Sequence, residues 1–196
     1  MPIPPATERL DPRSVRSRQR AIDAALELLR EHGVRGVTIE AVSAHSGIAK
    51  TTLYRQFADR DELFFAAIES LKGVDQIPGQ RGVVADVERW LLAFARALRE
   101  SDFAELVPSV IEVAQRSERG RQLAAEFGER RRSSLATRLR VAVEQGELPA
   151  GFDVETAVSQ LVGPLFYRRY MSQQPLTPAF VRQVARSILC SAVSSS

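Results

Sequence analysis

From Ser14 to Val193 the apolar residues of this chain recur at intervals of three and four, and nowhere do they alternate over a useful length. That spacing stacks side chains on one face of an α-helix, whereas a half-buried strand needs a period of two. Helix packed on helix is the one layer arrangement such a pattern supports. The expectation is an all-α protein of about nine helices, without internal repeats.

The stripes and their punctuation locate the elements. Val15, Ile22, Ala25, Leu26 and Leu29 share a face and Gly33 follows, predicting a helix over 14–32. Thr38 is a natural N-cap with Glu40 in the first turn, starting a short helix that runs to about His45. Ser46-Gly47-Ile48 reads as a tight break, and Ala49 to about Gln56 as a third helix. Asp59 with Glu62 forms a capping box before Leu63, Phe64, Ala67, Ile68 and Leu71, a fourth helix reaching about Lys72. Longer segments follow: 83–99, a shorter one over 103–115 that Pro108 should bend or split, about 118–145 ending at Gly146, 154–171, and 178–193 with Thr177 as cap and Pro178 in the first turn. Four prolines in residues 1–13 predict a disordered arm, and 73–82, with its glycines and proline, a linker. The organisation is therefore an arm (1–13), an N-terminal domain (14–72) and a C-terminal domain (83–193).

Two short helices joined by a turn at Gly47 have the helix-turn-helix pattern. Wound as a helix, Ala49, Leu53 and Phe57 face inward, and Lys50, Thr51, Thr52, Tyr54, Arg55 and Gln56 form an outward polar face. Residues 1–58 carry nine basic groups against six acidic ones, and no Asp or Glu occurs from 41 to 58. An outward, cationic, acid-free helix suits the DNA major groove. Lys and Arg donate to guanine there, and a threonine methyl meets that of thymine. Lys50, Tyr54 and the helix start at Thr38 suit phosphates, which fix register. On period alone, a merely solvated polar helix would fit as well; the glycine turn, the capped preceding helix and the missing acids favour DNA.

The stretch VTIEAVSAHSGIAKTTLYRQFADRDELFFAAI, residues 37–68, resembles the DNA-binding domain of TetR-family transcriptional regulators, and RAIDAALELLREHG resembles that family's first helix. The match at Thr38, Gly47, Lys50, Leu53, Tyr54 and Phe57 is close. The resemblance implies an all-helical homodimer on a palindromic operator, and a C-terminal domain that binds an inducer and holds the dimer together. It places Lys50, Thr51, Thr52, Tyr54 and Arg55 at DNA, and Arg60 near a phosphate at the start of the fourth helix. One departure is Ala49, where the family usually has a serine cap. The segment from Gly146 to Leu189 resembles a common C-terminal variant of the same regulators.

In that half, Val158, Leu161 and Leu165 on one helix and Val184 and Ile188 on the last are the expected dimer interface, because helices apolar on more than one side bury more than one side. Central core explains the same stripes nearly as well. Trp90, Phe94, Phe103, Phe127, Phe166, Tyr167 and Tyr170 are candidate walls of an effector pocket. Few Asp, Glu or His sit among the apolar stripes, so an apolar or amphipathic small molecule is the expected ligand, although aromatics at helical spacing are more often core. Ligand binding is expected to move the linker and the fourth helix and so to change the spacing of the two reading heads. Among the N-terminal arginines, Arg16, Arg18 and Arg20 are expected at phosphates, with Arg13 open.

Enzymatic chemistry has no residues to carry it. His32 and His45 lack partners at metal-ligand spacing, and neither a phosphate-binding glycine loop nor a nucleophile elbow occurs. No cofactor is expected. A helix-turn-helix adaptor that binds protein is the competing reading, and a small helical enzyme a remote one. The lone Cys190 fits a reducing compartment and is expected to be a small buried hydrophobe. Neither a membrane span nor a signal peptide is read, so the expected location is the cytoplasm.

Overall fold

The computed structural model of the chain describes residues 11–71, 77 and 81–193, with side chains as far as Cys190. Within them the chain forms nine α-helices and no strand: α1 Pro12–Gly36, α2 Ile39–Ser46, α3 Lys50–Gln56, α4 Arg60–Glu69, α5 Val83–Glu100, α6 Asp102–Arg116, α7 Glu118–Glu144, α8 Val154–Phe166 and α9 Pro178–Val193. A π-helical turn, Tyr167–Met171, continues α8. The expected arm lies outside the described residues as far as residue 10, as does most of the expected linker.

Local chemistry accounts for the ends of these helices. Asp11 caps α1 by accepting from the Arg13 amide at 2.9 Å, and Pro12 fills the first helical position, so α1 begins two residues before the first apolar residue suggests. Gly33, at φ 65° and ψ −167°, interrupts α1 where the sequence predicts the stop. Val15, expected on the buried stripe, is about half exposed. Thr38 Oγ1 accepts from the Ala41 amide at 3.0 Å, Gly47 closes α2 in the left-handed region at φ 69°, and Asp59 accepts from the Glu62 amide at 2.7 Å. Pro108 lies inside an α6 that is uninterrupted. Pro164, three residues before the π turn, cannot donate to the carbonyl four residues back. The sequence pattern alone extends an α-helix through Met171.

The contacts divide the described residues into two compact units, 11–71 with 108–124, and 77 and 81–107 with 125–193. The segment 108–124, placed by chain order in the C-terminal domain, therefore clusters with the N-terminal helices. In the first unit α1 packs against α2, α3 and α4 around Ala21, Ala25, Leu29, Val42, Leu53, Phe57, Leu63, Phe64 and Ile68.

In the second unit α5 packs along α9 and also against α8. Its interior holds a charge network. The Asp86 side chain is fully buried and that of Arg138 nearly so. Arg138 Nε donates to Asp86 Oδ2 at 3.0 Å, and its Nη2 to Glu147 Oε1 at 2.7 Å. Arg89 holds the other Asp86 oxygen at 2.9 Å, and Glu147 Oε2 accepts from the Val83 amide at 2.6 Å, so a carboxylate stands at the positive end of α5. Removing one partner of such a network would strand a buried charge, at a cost of about 3–5 kcal/mol.

Candidate nucleic-acid interface

The third helix is seven residues long and carries Ala49 as an N-cap with no side-chain bond. Packing holds it: Leu53 and Phe57 are fully buried, and Ile48 nearly so. Ala49 itself is exposed, so the inward residue preceding the helix is Ile48, one position earlier than the four-residue spacing indicates. Two arginines of α1 also secure the helix-turn-helix. Arg18 donates to the Gln56 carbonyl at 2.6 Å, at the C-terminal end of α3, and its guanidinium lies over the Phe57 ring at 4.2 Å. Arg20 donates to the Ser46 carbonyl at the end of α2.

On this base Lys50, Thr51, Tyr54 and Arg55 stand exposed, Tyr54 by 55%, while Thr52 is half-buried. Thr38 is half-buried with its oxygen occupied as the α2 cap. Lys50 Nζ lies 3.3 Å from Glu40 Oε1, so the first residue of α3 is tied to the first turn of α2. The backbone at Glu40, then the Lys50 ammonium, hold the Glu40 carboxyl below its ordinary range. Sequence reasoning noted Glu40 only as a helix-start residue; the side-chain pairing gave no sequence signal.

Arg60 corrects the expectation. Its Nε donates to the Val37 carbonyl at 2.5 Å, and its Nη2 to the Val34 carbonyl. It binds the end of α1, and partial burial, then the Arg116 charge, lower its pKa. Arg18 and Arg20 are likewise engaged with protein carbonyls, Arg18 half-buried and Arg20 exposed, while Arg13 and Arg16 are also exposed at the start of α1. The physical reason is common to all three. Helix C-termini leave carbonyls without partners at the negative end of the dipole, and arginine satisfies both needs.

In the second unit the aromatic candidates form two groups. Trp90 stacks on Phe94 with centroids 5.1 Å apart, Phe94 meets Phe166 at 5.8 Å, and Phe166 meets Tyr170 at 5.7 Å. Trp90 Nε1 donates to Ser134 Oγ at 3.0 Å, and the Tyr170 hydroxyl to the Ala104 carbonyl at 2.9 Å. Burial raises the Tyr170 pKa. Phe127 pairs instead with Phe103, at 5.9 Å, beneath Arg131. Trp90, Phe94 and Phe127 are buried, Phe166 and Tyr170 half-buried, and Tyr167 turns outward.

The dimer candidates are also corrected. Val158, Leu161, Leu165 and Val184 are buried in the chain's own core, and of the five only Ile188 is partly exposed. An apolar stripe marks a buried side without saying which partner buries it. Cys190, expected inside, is exposed on α9.

Comparison with known proteins adds an independent line. Residues 21–67 match the family model described as bacterial regulatory proteins, tetR family. Residues 77–188, more than half of the chain, match that of the tetracyclin repressor-like C-terminal domain. The uncharacterized HTH-type transcriptional regulator YdeS of Bacillus subtilis is 23% identical over 88% of each chain. Among solved structures, the TetR family transcription regulator SCO0332 is 28% identical at a TM-score of 0.70, covering 89% of this chain and 97% of its own. FadR from Bacillus subtilis, solved in complex with stearoyl-CoA, shares the fold at 18% identity and a TM-score of 0.62, over 87% of this chain and 97% of its own.

Proposed function

Since the chain belongs to the TetR family of transcriptional regulators, we propose that this helix-turn-helix DNA-binding protein is a ligand-responsive cytoplasmic repressor, without enzymatic activity, acting as a homodimer on a palindromic operator. The observation that carries the reading is α3, buried through Leu53 and Phe57 while Lys50, Thr51, Tyr54 and Arg55 face solvent. Of the proposed contacts, Tyr54 and the α2 start at Thr38 position the backbone, Thr51, Thr52 and Arg55 reach base edges, and Lys50, at the start of α3, is within reach of either. In a dimer the half-sites lie one helical turn apart, about 34–36 Å, or a multiple of it.

For the homodimer, α8 offers a surface other than the stripe first expected. Gly163, Tyr167 and Met171 follow one another every four residues, Tyr167 exposed by 64% and Met171 by 74%. A Cβ at Gly163 would meet nothing within 4 Å. A mid-helix glycine costs about 1 kcal/mol relative to alanine, so close approach by a second helix gives it a purpose. For the effector, the row Trp90–Phe94–Phe166–Tyr170 supports an apolar or amphipathic small molecule, and Phe127, paired with Phe103, is the further proposed wall residue. FadR, similar in fold, holds stearoyl-CoA. The effector lowers operator affinity by binding two conformations unequally.

The test is duplex binding across a salt series, followed by selection of bound genomic fragments. A repressor of this kind selects a palindrome and loses affinity steeply as salt rises. A flat salt response and no enriched sequence would leave the protein-binding adaptor as the better account.

A further inference from the structure

We propose that Glu40 and Lys50 form one reading unit for a G·C base pair in each half-site, Glu40 accepting from the cytosine amine and Lys50 donating to guanine. The inference rests on the DNA-binding reading and deepens it.

Glu40 is the only acidic residue between Glu31 and Asp59. Its carboxylate is 62% exposed, on the same surface as the outward side of α3. Phosphates repel a carboxylate in that place, so its presence there calls for a use. Stability supplies only a modest one: a carboxylate in the first turn of α2 is weakly favoured by the helix dipole, an ion pair this exposed adds little, and α2 is already capped by Thr38. The lowered pKa keeps Glu40 ionised at neutral pH, and an ionised carboxylate only accepts hydrogen bonds.

The pairing with Lys50 completes the argument. It places a donor and an acceptor 3.3 Å apart at the start of the recognition helix. The major-groove edge of a G·C pair presents guanine O6 and N7 as acceptors beside the donor N4 of cytosine. O6 and N4 are bonded to each other, hence about 2.9 Å apart. Lys50 and Glu40 match that edge in kind and spacing. An A·T pair also presents a donor, adenine N6, but sets it between its two acceptors, adenine N7 and thymine O4, the latter flanked by the thymine methyl; only guanine gives the lysine two adjacent acceptors, O6 and N7, on one side of the donor.

The test is selection from a random duplex library by the full-length protein and by its Glu40→Ala and Lys50→Ala variants. Both variants should relax the same G·C position in each half-site, discrimination there falling about tenfold or more, with other positions kept. Glu40→Ala should also bind unrelated duplex more tightly and steepen the salt dependence, because Lys50 is freed for phosphate. Glu40→Gln, should the alanine variant fold poorly, should draw adenine to that position. Unchanged base preference with a uniform gain in affinity would overturn the proposal, as would relaxation at two different positions or an A·T pair at the shared one. Failure of the wild type to enrich any sequence would remove the DNA-binding reading itself, and this proposal with it.

Discussion

Arg18, Arg20, Arg55 and Arg60 look alike in the sequence, yet three of them bond backbone carbonyls, and Arg55 stands exposed on the outward face of α3. The difference was illegible because the partner of each clamp is a main-chain oxygen, which carries no residue identity. The expected consequences separate cleanly. Arg60→Met keeps the aliphatic stem but abandons the Val34 and Val37 carbonyls, and should cost about 2 kcal/mol. For a chain of this size that is a fall of roughly 4–8 °C in melting temperature, read by circular dichroism. Arg55→Ala should leave melting unchanged and weaken duplex binding with a shallower salt dependence. On the outward face, Tyr54→Ala should weaken all sequences alike, whereas Thr51 and Arg55 substitutions should change the preferred sequence. Equal losses on every duplex from all three, measured by competition binding, would dissolve that division of labour.

At the scale of the element, the sequence was most legible where a helix end is written in local chemistry. The Thr38 cap, the αL turn at Gly47, the box at Asp59 and the start at Pro178 all lie within a residue of expectation. Phase was less legible: Ile48 takes the inward place given to Ala49, because the chain enters α3 through an extended residue rather than a helical one. The π turn after Pro164 was missed since its apolar spacing mimics ordinary helix. The uncapped start of α3 gives a prediction of its own. Ala49→Ser supplies the missing acceptor to an exposed N-cap and should add about 1 kcal/mol, seen as a higher denaturant midpoint. Gly47→Ala should act oppositely, because an alanine at φ 69° costs about 1–2 kcal/mol although its Cβ meets nothing closer than 3.7 Å.

For the whole molecule, the surface of α8 is the most informative mismatch between pattern and structure. Leu161 and Leu165 are fully buried in a single chain, so they serve the subunit's own fold. Gly163, Tyr167 and Met171 carry the exposure that a second copy would remove, and their residue types gave no stripe to read. The two sets should therefore respond in opposite ways. Leu161→Ala should destabilise the subunit by about 2–5 kcal/mol through lost burial and the cavity left behind. Met171→Glu, or Gly163→Arg, should leave the melting of the monomer nearly untouched but place charge where two copies of α8 approach. Sedimentation would then show a shift to monomer at concentrations where the wild type is dimeric. Operator affinity should fall with it, because a single recognition helix loses the gain that comes from holding both half-sites at once. If Met171→Glu stayed dimeric and bound the operator undiminished, the second copy would have to meet this chain elsewhere than on α8.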